Sequence, residues 1–197
     1  IIFGLITLGS FIALKNKCLF VKYHDPEKLN FKKPKNIAVL NTNCGNVIIE
    51  LYPSISPNAV DRFRMLIKTG KYNNIAFHRV IKNTLVQAGD LEFGEKNKLN
   101  YAYIGSGKSG FGKINSELDS KFNFEKGTVA LARTHEKNTE DSQFFILLQD
   151  APLFEGEYTP VGKVIYGLKV IKKIKYSEKG EYVLRPDFIN NFKMLVD

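Results

Sequence analysis

The chain has 197 residues, of which 44% are hydrophobic and 25% are charged. This length suits one domain with a real core and is short for two, and the composition excludes a disordered chain. Lysine and arginine number 29 against 20 aspartate and glutamate residues, a net charge of +9. Because no long basic block or nucleic-acid motif accompanies this charge, we interpret it as a basic solvated surface and expect no nucleic-acid partner.

The first stretch of the chain is almost wholly apolar. Residues 1–14 contain no charged side chain, and the sequence opens without a methionine, so we expect that its true start is missing. The run has the length of a signal-peptide core and is short for a membrane span of roughly 20 residues. We predict a signal peptide or membrane anchor over residues 1–22, with a buried strand or helix as the alternative. The predicted location is the secretory pathway, the periplasm or a membrane, and the cytoplasm if this segment is not a targeting signal.

Residues 23–36 follow as a polar stretch with two prolines and clustered lysines. Such a composition is typical of an extended, solvated linker. The only cysteines are Cys18 and Cys44, which lack the spacing of a metal site, and Cys18 lies outside the predicted domain. We therefore expect no disulfide framework, no metal and no cofactor.

The predicted domain, residues 37–197, opens with a β-hairpin. Residues 37–42 and 47–51 have the apolar, β-branched composition of strands. Residues 43–46 form the turn between them, where Gly45 supplies a positive φ.

A helix is predicted next, over residues 56–69. Ser56 is a favourable N-cap, Pro57 suits the first helical position, and Gly70 is a typical stop. One apolar face recurs at helical spacing, formed by Ala59, Val60, Phe63, Leu66 and Ile67.

Most of the remaining elements are short strands. A long irregular stretch, residues 92–126, is rich in glycine; loops of this length are usually functional. It lacks the preceding strand and the closing Lys-Ser/Thr of a phosphate-binding loop. A short helix is predicted over residues 167–174. Strands are predicted at residues 77–81, 85–89, 127–133, 143–148, 161–165 and 188–196. Many short strands with one strong helix favour an antiparallel barrel or sandwich.

Five blocks in this order resemble the signature segments of the cyclophilins, which are peptidyl-prolyl cis-trans isomerases. They are FHRVI at 77–81, QAGD at 87–90, GTVALA at 127–132, SQFFI at 142–146 and VGKV at 161–164. The resemblance runs from about Ile37 to Val196 and is most similar to single-domain, bacterial-type members. It implies a mainly β fold, an eight-stranded antiparallel β-barrel capped by two α-helices, with the active groove on the outside of the barrel.

The resemblance also implies two catalytic residues, Arg79 and Gln87. Rotation about an X–Pro bond must cross a barrier of about 18–20 kcal/mol, which is lost amide resonance. A fixed guanidinium can donate a hydrogen bond to the prolyl nitrogen when it becomes pyramidal in the twisted state. We assign this role to Arg79, and we expect Gln87 to orient it and to bind the substrate backbone.

A substrate-binding set follows from the same resemblance. Phe145 is expected to form the floor of the proline pocket, with walls from neighbouring apolar side chains. His78 lies beside Arg79, but successive strand residues point to opposite faces, so we interpret it as structural. The full set of predicted substrate-binding residues is Phe77, Thr84, Leu85, Ala132, Arg133, Gln143, Phe145, Leu153, Phe154 and Tyr158.

Two positions depart from the family pattern. Thr84 stands where the family commonly has phenylalanine, and Leu153 replaces the tryptophan of cyclosporin-sensitive members. We therefore expect retained but reduced isomerase activity and weak cyclosporin A binding.

The expected partners are proline-containing peptides and unfolded or client proteins. We expect the chain to be monomeric and to contact membranes only through its N-terminal segment. The alternative is a low-activity, proline-peptide-binding chaperone or interaction module that uses the same groove.

Overall fold

The structure is a computed structural model that describes residues 17–196. Most of the predicted signal or anchor segment, residues 1–16, lies outside this described part. Within residues 17–196, no helix combines the length and apolar character needed to cross a bilayer.

One antiparallel sheet forms the body of the described chain. Its eight strands are ordered β3-β4-β6-β5-β7-β2-β1-β8. They are β1 (Ile37–Thr42), β2 (Gly45–Leu51), β3 (Arg79–Ile81), β4 (Leu85–Ala88), β5 (Thr128–Leu131), β6 (Phe144–Leu147), β7 (Pro160–Tyr166) and β8 (Asn191–Met194). The predicted eight-stranded antiparallel architecture is therefore confirmed.

Two helices cap this sheet. Helix α1 (Pro57–Lys68) buries the predicted apolar face, and helix α2 (Leu168–Ile171) is a single turn. Ser56 is the N-cap residue, as predicted, but its side chain does not cap the helix, because its hydroxyl donates to the carbonyl oxygen of Pro160 at 2.6 Å. The first-turn N–H groups of α1 instead meet a carboxylate from a distant loop, since Asn58 N and Ala59 N donate to Glu117 at 3.1 and 2.8 Å.

Residues 175–188, which we call the edge segment, lie along the free edge of β3. Tyr182 stands opposite Arg79 in an antiparallel bridge. Val80 N donates to Glu181 O at 2.8 Å, and Val183 N donates to His78 O at 2.9 Å. The edge segment thereby continues the sheet beyond β3 and brings its own side chains to the face that carries Arg79.

The apolar interior divides between the two faces of the sheet. Phe63, Tyr72 and Phe144 belong to the main core beneath α1. Phe145, the next residue along β6, belongs to a second cluster that also contains Leu85. The alternation of side chains on β6 therefore sends one phenylalanine to the core and its neighbour to the opposite face.

Cys18 and Cys44 form a disulfide, so the prediction of no disulfide was wrong. The chain before β1 folds back on the β1–β2 turn, which brings together cysteines separated by 26 residues. Asn46 Nδ2 donates to Tyr23 OH and His24 O, each at 3.2 Å. These contacts hold residues 18–24 against the barrel, a long-range pairing that spacing along the sequence does not reveal.

Candidate active site

A groove of about 790 Å³ opens on the face of β3, β4 and β6 that is turned away from the main core. It gathers ten of the twelve residues predicted for the site. These ten are Arg79, Thr84, Leu85, Gln87, Ala132, Arg133, Gln143, Phe145, Phe154 and Tyr158. The sequence therefore indicated ten of the residues that line a single concave surface.

The other two predicted substrate-binding residues, Phe77 and Leu153, do not line this groove. Phe77 is fully buried in the main core. Leu153 lies in a one-turn 3-10 helix, Pro152–Phe154, with 88% of its surface exposed. The structure thus gives Phe77 a packing role and turns Leu153 toward solvent.

Three side chains form a row across neighbouring strands. Arg79 on β3 stands directly opposite Gln87 on β4, and Gln87 stands directly opposite Phe145 on β6. Residues paired in this way share one face of a sheet, and adjacent strands lie about 4.8 Å apart. The row therefore places a cation, an amide and an aromatic ring in order across the groove.

The guanidinium of Arg79 is held at two of its nitrogens. Nη1 donates to Gln87 Oε1 at 3.0 Å, and Nε donates to Glu181 Oε2 at 2.7 Å. Among the described residues, Nη2 has no hydrogen-bond acceptor within the protein. Arg79 therefore keeps the protons of Nη2 available while two contacts hold the guanidinium plane.

Gln87 connects this arginine to Gln143. Its Nε2 donates to Gln143 Oε1 at 2.9 Å. The amide nitrogen of Gln143 in turn donates to the carbonyl oxygens of Gly105 and Gly107, at 3.0 and 3.1 Å. A chain of hydrogen bonds thus runs from the arginine to the loop that forms the far wall, and each bond polarises the next.

That loop, residues 105–112, is built around the buried carboxylate of Asp90. Asp90 accepts hydrogen bonds from four backbone N–H groups, those of Glu92, Phe93, Gly105 and Gly107. A Cβ at position 107 would lie 2.1 Å from Asp90 Oδ1. Glycine is therefore needed there for close approach to the carboxylate rather than for an unusual φ.

A second carboxylate, Asp141, fixes the other end of the same loop. It accepts hydrogen bonds from Ser109 N at 2.7 Å and from the Ser109 hydroxyl. Arg62 Nη1 on α1 donates to Asp141 Oδ1 at 3.0 Å and to Gly112 O at 2.7 Å. Sequence reasoning missed this anchor, because its members come from three distant parts of the chain.

The apolar end of the groove is an aromatic pocket. The ring centroid of Phe145 lies 5.7 Å from that of Phe154 and 5.2 Å from that of Tyr158, both edge-to-face. Leu85 is buried beside Phe145 in the same cluster. The pocket is therefore apolar and aromatic, and Thr84 contributes a smaller, polar side chain to the groove.

Arg133 braces this pocket instead of offering a free charge. Its side chain is only 8% exposed, and its guanidinium lies 5.0 Å from the ring centroid of Tyr158. Nε and Nη2 donate to Glu157 O and Glu157 Oε2, at 2.9 and 3.0 Å. The side chain thus stabilises the wall made by Tyr158.

His78 is buried on the side of β3 opposite the groove. Burial lowers its pKa to about 4, so the imidazole is neutral near pH 7. A neutral, buried ring beside Arg79 supports a structural role. Within residues 17–196, no cluster of histidine, cysteine, aspartate or glutamate has the arrangement of a metal site.

Residues 37–194 match the family model described as cyclophilin type peptidyl-prolyl cis-trans isomerase/CLD. This chain belongs to the cyclophilin family. A probable peptidyl-prolyl cis-trans isomerase of Brucella suis is 40% identical over 159 residues, which cover 79% of this chain and 81% of the relative. A peptidyl-prolyl cis-trans isomerase of Acinetobacter baylyi is 35% identical, covering 68% of this chain and 69% of that protein. The cyclophilin is accordingly a peptidyl-prolyl cis-trans isomerase.

A solved structure agrees with this assignment. The cyclophilin-type isomerase of Cryptosporidium parvum, crystallised in the presence of the dipeptide Ala-Pro, superposes with a TM-score of 0.68 at 27% identity. The match covers 80% of this cyclophilin and 98% of the crystallised chain. The antiparallel fold with two helical caps is therefore the family fold.

Proposed function

We propose that this cyclophilin accelerates rotation about X–Pro bonds by donating a hydrogen bond from Arg79 to the twisted prolyl amide. The reaction needs no covalent step, because the barrier of about 18–20 kcal/mol arises from lost amide resonance. As the bond twists, the prolyl nitrogen becomes pyramidal and gains an accessible lone pair. A donor that meets this lone pair only in the twisted state lowers the barrier without stabilising either planar isomer.

The observation that carries this proposal is the row of Arg79, Gln87 and Phe145 across three strands. With proline seated against Phe145, the preceding peptide bond lies toward Gln87 and Arg79. Gln87 holds Nη1 of the arginine, and Nη2 keeps its protons free of acceptors in the described chain. The substrate-binding roles proposed for Ala132 and Gln143 follow, since both line the groove beyond this row.

The proposed substrates are proline-containing peptides and unfolded or client proteins, bound by a monomeric chain. The aromatic pocket of Phe145, Phe154 and Tyr158 supports recognition of proline itself, and the crystallisation of the Cryptosporidium protein with Ala-Pro is consistent with it. Cyclosporin A binding is proposed to be weak, because the exposed Leu153 adds no wall to the pocket. Calorimetric titration with cyclosporin A tests this, and a nanomolar Kd would contradict it.

The function is tested by cis-to-trans isomerisation of an Ala-Pro peptide with the full chain and its Arg79→Ala and Arg79→Lys variants. We expect the parent to accelerate the reaction and Arg79→Ala to lose most of that acceleration. Arg79→Lys keeps the charge but not the rigid fork of donors, so we expect little recovery. A folded parent that is no faster than buffer would contradict the proposal.

That outcome would favour the second candidate, a proline-peptide-binding chaperone with little turnover. Thr84 is the observation behind it, since a small polar side chain lines the groove where a phenylalanine is common in the family. If the chaperone hypothesis is correct, the parent suppresses aggregation of an unfolded client protein. The Arg79→Ala variant then suppresses aggregation equally well.

We further propose that the protein works in the secretory pathway, in the periplasm or at a membrane, held there through its N-terminal segment. The disulfide between Cys18 and Cys44 supports this location, because disulfides form and persist in oxidising compartments. Thiol alkylation of the protein isolated from its native source, without reduction, should leave both cysteines unmodified. Alkylation of both would instead place the chain in a reducing compartment such as the cytoplasm.

A further inference from the structure

Glu181 reaches the arginine of the groove although 102 positions separate the two residues in sequence. Its carboxylate Oε2 accepts a hydrogen bond from Arg79 Nε at 2.7 Å. We propose that Glu181 is a positioning residue for Arg79, which fixes the guanidinium plane so that Nη2 faces the bound prolyl amide. This inference rests on the catalytic role proposed for Arg79 above.

Two hydrogen-bond acceptors, one from Gln87 and one from Glu181, hold the guanidinium of Arg79. The hydrogen bond from Nη1 to Gln87 alone would leave the planar group free to turn about that contact. A second acceptor on Nε removes this freedom, because two acceptors at two nitrogens define the plane. Catalysis by a directed donor depends on such preorganisation.

The edge segment holds Glu181 independently of the arginine. Backbone hydrogen bonds from Val80 N to Glu181 O and from Val183 N to His78 O, at 2.8 and 2.9 Å, fasten this stretch to β3. At the end of the segment, Phe77 N donates to Asp187 O at 2.9 Å. The carboxylate is therefore presented from a fixed backbone, so only side-chain entropy is lost when it binds Arg79.

The negative charge of Glu181 and its orienting effect on Arg79 influence catalysis in opposite directions. A carboxylate beside the guanidinium weakens the positive potential that the groove offers to the prolyl nitrogen. The Arg79 side chain is 28% exposed and that of Glu181 is 51% exposed, so solvent screens much of this effect. Solvent does not weaken the other effect of Glu181, which is to fix the direction of the Nη2 protons. We therefore expect the loss of Glu181 to slow catalysis rather than to accelerate it.

The test compares Glu181→Ala with Glu181→Gln in the full chain. Glu181→Ala removes the acceptor, and we expect kcat/KM for an Ala-Pro peptide to fall about tenfold. Glu181→Gln keeps an acceptor oxygen without the charge, and we expect kcat/KM within about twofold of the parent. Glu178→Ala is the matched control, because this carboxylate on the same segment pairs with Lys82 at 3.3 Å, outside the groove.

A second readout follows Arg79 itself. The Nε–H resonance of Arg79 should exchange slowly with solvent in the parent and in Glu181→Gln, and rapidly in Glu181→Ala, while the amide spectrum of the barrel stays unchanged. A merely structural role of Glu181 would not alter this single resonance. The proposal is overturned if Glu181→Ala is as active as the parent or faster, or if Glu181→Gln loses as much activity as Glu181→Ala.

The result also separates this inference from the proposed mechanism. If Arg79→Ala is inactive and Glu181→Ala retains full activity, only the positioning role fails. If Arg79→Ala is itself as active as the parent, the catalytic role of the arginine fails and the positioning role fails with it.

Discussion

Gln87 and Gln143 are joined by a hydrogen bond between their side-chain amides, with Gln87 Nε2 donating to Gln143 Oε1 at 2.9 Å. Gln87 also accepts a hydrogen bond from Arg79, and Gln143 also donates one to the carbonyl oxygen of Gly105 in the loop of residues 105–112. Each amide therefore uses its oxygen toward the arginine side and its nitrogen toward the loop side. The orientation of the arginine and the position of the loop are consequently linked through two side chains.

The first prediction tests this link by Gln143→Glu. A carboxylate can still accept from Gln87, but it cannot donate to the carbonyl oxygens of Gly105 and Gly107. An unmet partly buried carbonyl costs about 1–3 kcal/mol, so we expect a loosened loop and a tenfold or so lower kcat/KM. Hydrogen exchange of residues 105–108 should rise together with the loss of activity. Gln149→Glu, on an exposed turn, is the control and should change neither; unchanged exchange in Gln143→Glu would disprove the link.

The second prediction concerns Gly107→Ala. The added methyl group would lie 2.1 Å from Asp90 Oδ1, a distance that real Cβ atoms essentially never show. The loop must therefore move away from Asp90, and we expect the free energy of unfolding to fall by about 1–3 kcal/mol. Gly180→Ala is the control, because a Cβ there meets nothing within 4 Å. Denaturant unfolding measures both, and equal midpoints for the two variants would count against this account of the loop.

The third prediction is a pH dependence caused by His78. Its folded-state pKa is about 4, below the ordinary value of 6.5, so between these pH values the unfolded chain binds a proton that the folded chain does not. Stability should therefore rise with pH across this window and be lost as pH falls from about 6.5 to about 4, by about 3 kcal/mol in full. The slope should become clearly smaller in His78→Gln and stay as in the parent in His135→Gln, whose imidazole is 90% exposed. An unchanged slope in His78→Gln would assign the effect to another group.

The fourth prediction restores area to the proline pocket through Thr84→Phe. An added aromatic face of about 40 Å² would contribute about 1 kcal/mol at roughly 25 cal/mol per Å². We expect about fivefold tighter binding of an Ala-Pro peptide, measured by titration calorimetry. Thr84→Val, which adds little surface, should bind as the parent does. Weaker binding by Thr84→Phe would show that the rim cannot accept an aromatic ring.

The sequence predicted the elements whose signal is local. Helix α1 and the strands β3 and β6 can be recognised from neighbouring residues. The helix shows apolar residues at helical spacing, and Phe144 and Phe145 alternate between the two faces of β6. The groove lining followed from the resemblance of short blocks that lie on these strands. The fold class and ten of the residues that line the groove were therefore predictable.

Contacts between distant segments could not be predicted in this way. Three such contacts are each made by a carboxylate on a segment with no periodic sequence pattern. They join Glu181 to Arg79, Asp141 to Ser109, and Glu117 to the first turn of α1. The pairing of Cys18 with Cys44 likewise depends on how the chain folds back on the hairpin. Such contacts depend on how the eight strands pair, which local sequence patterns do not reveal.

The most direct measurement of the central claim separates binding from catalysis in Arg79→Ala. The Kd for an Ala-Pro peptide and the rate of cis–trans exchange of the bound peptide would both be determined by NMR, for the parent and the variant. Because the arginine is proposed to act on the twisted state, we predict an exchange rate at least about a hundredfold lower with a Kd within about threefold of the parent. An unchanged exchange rate in a variant that binds the peptide would contradict the account.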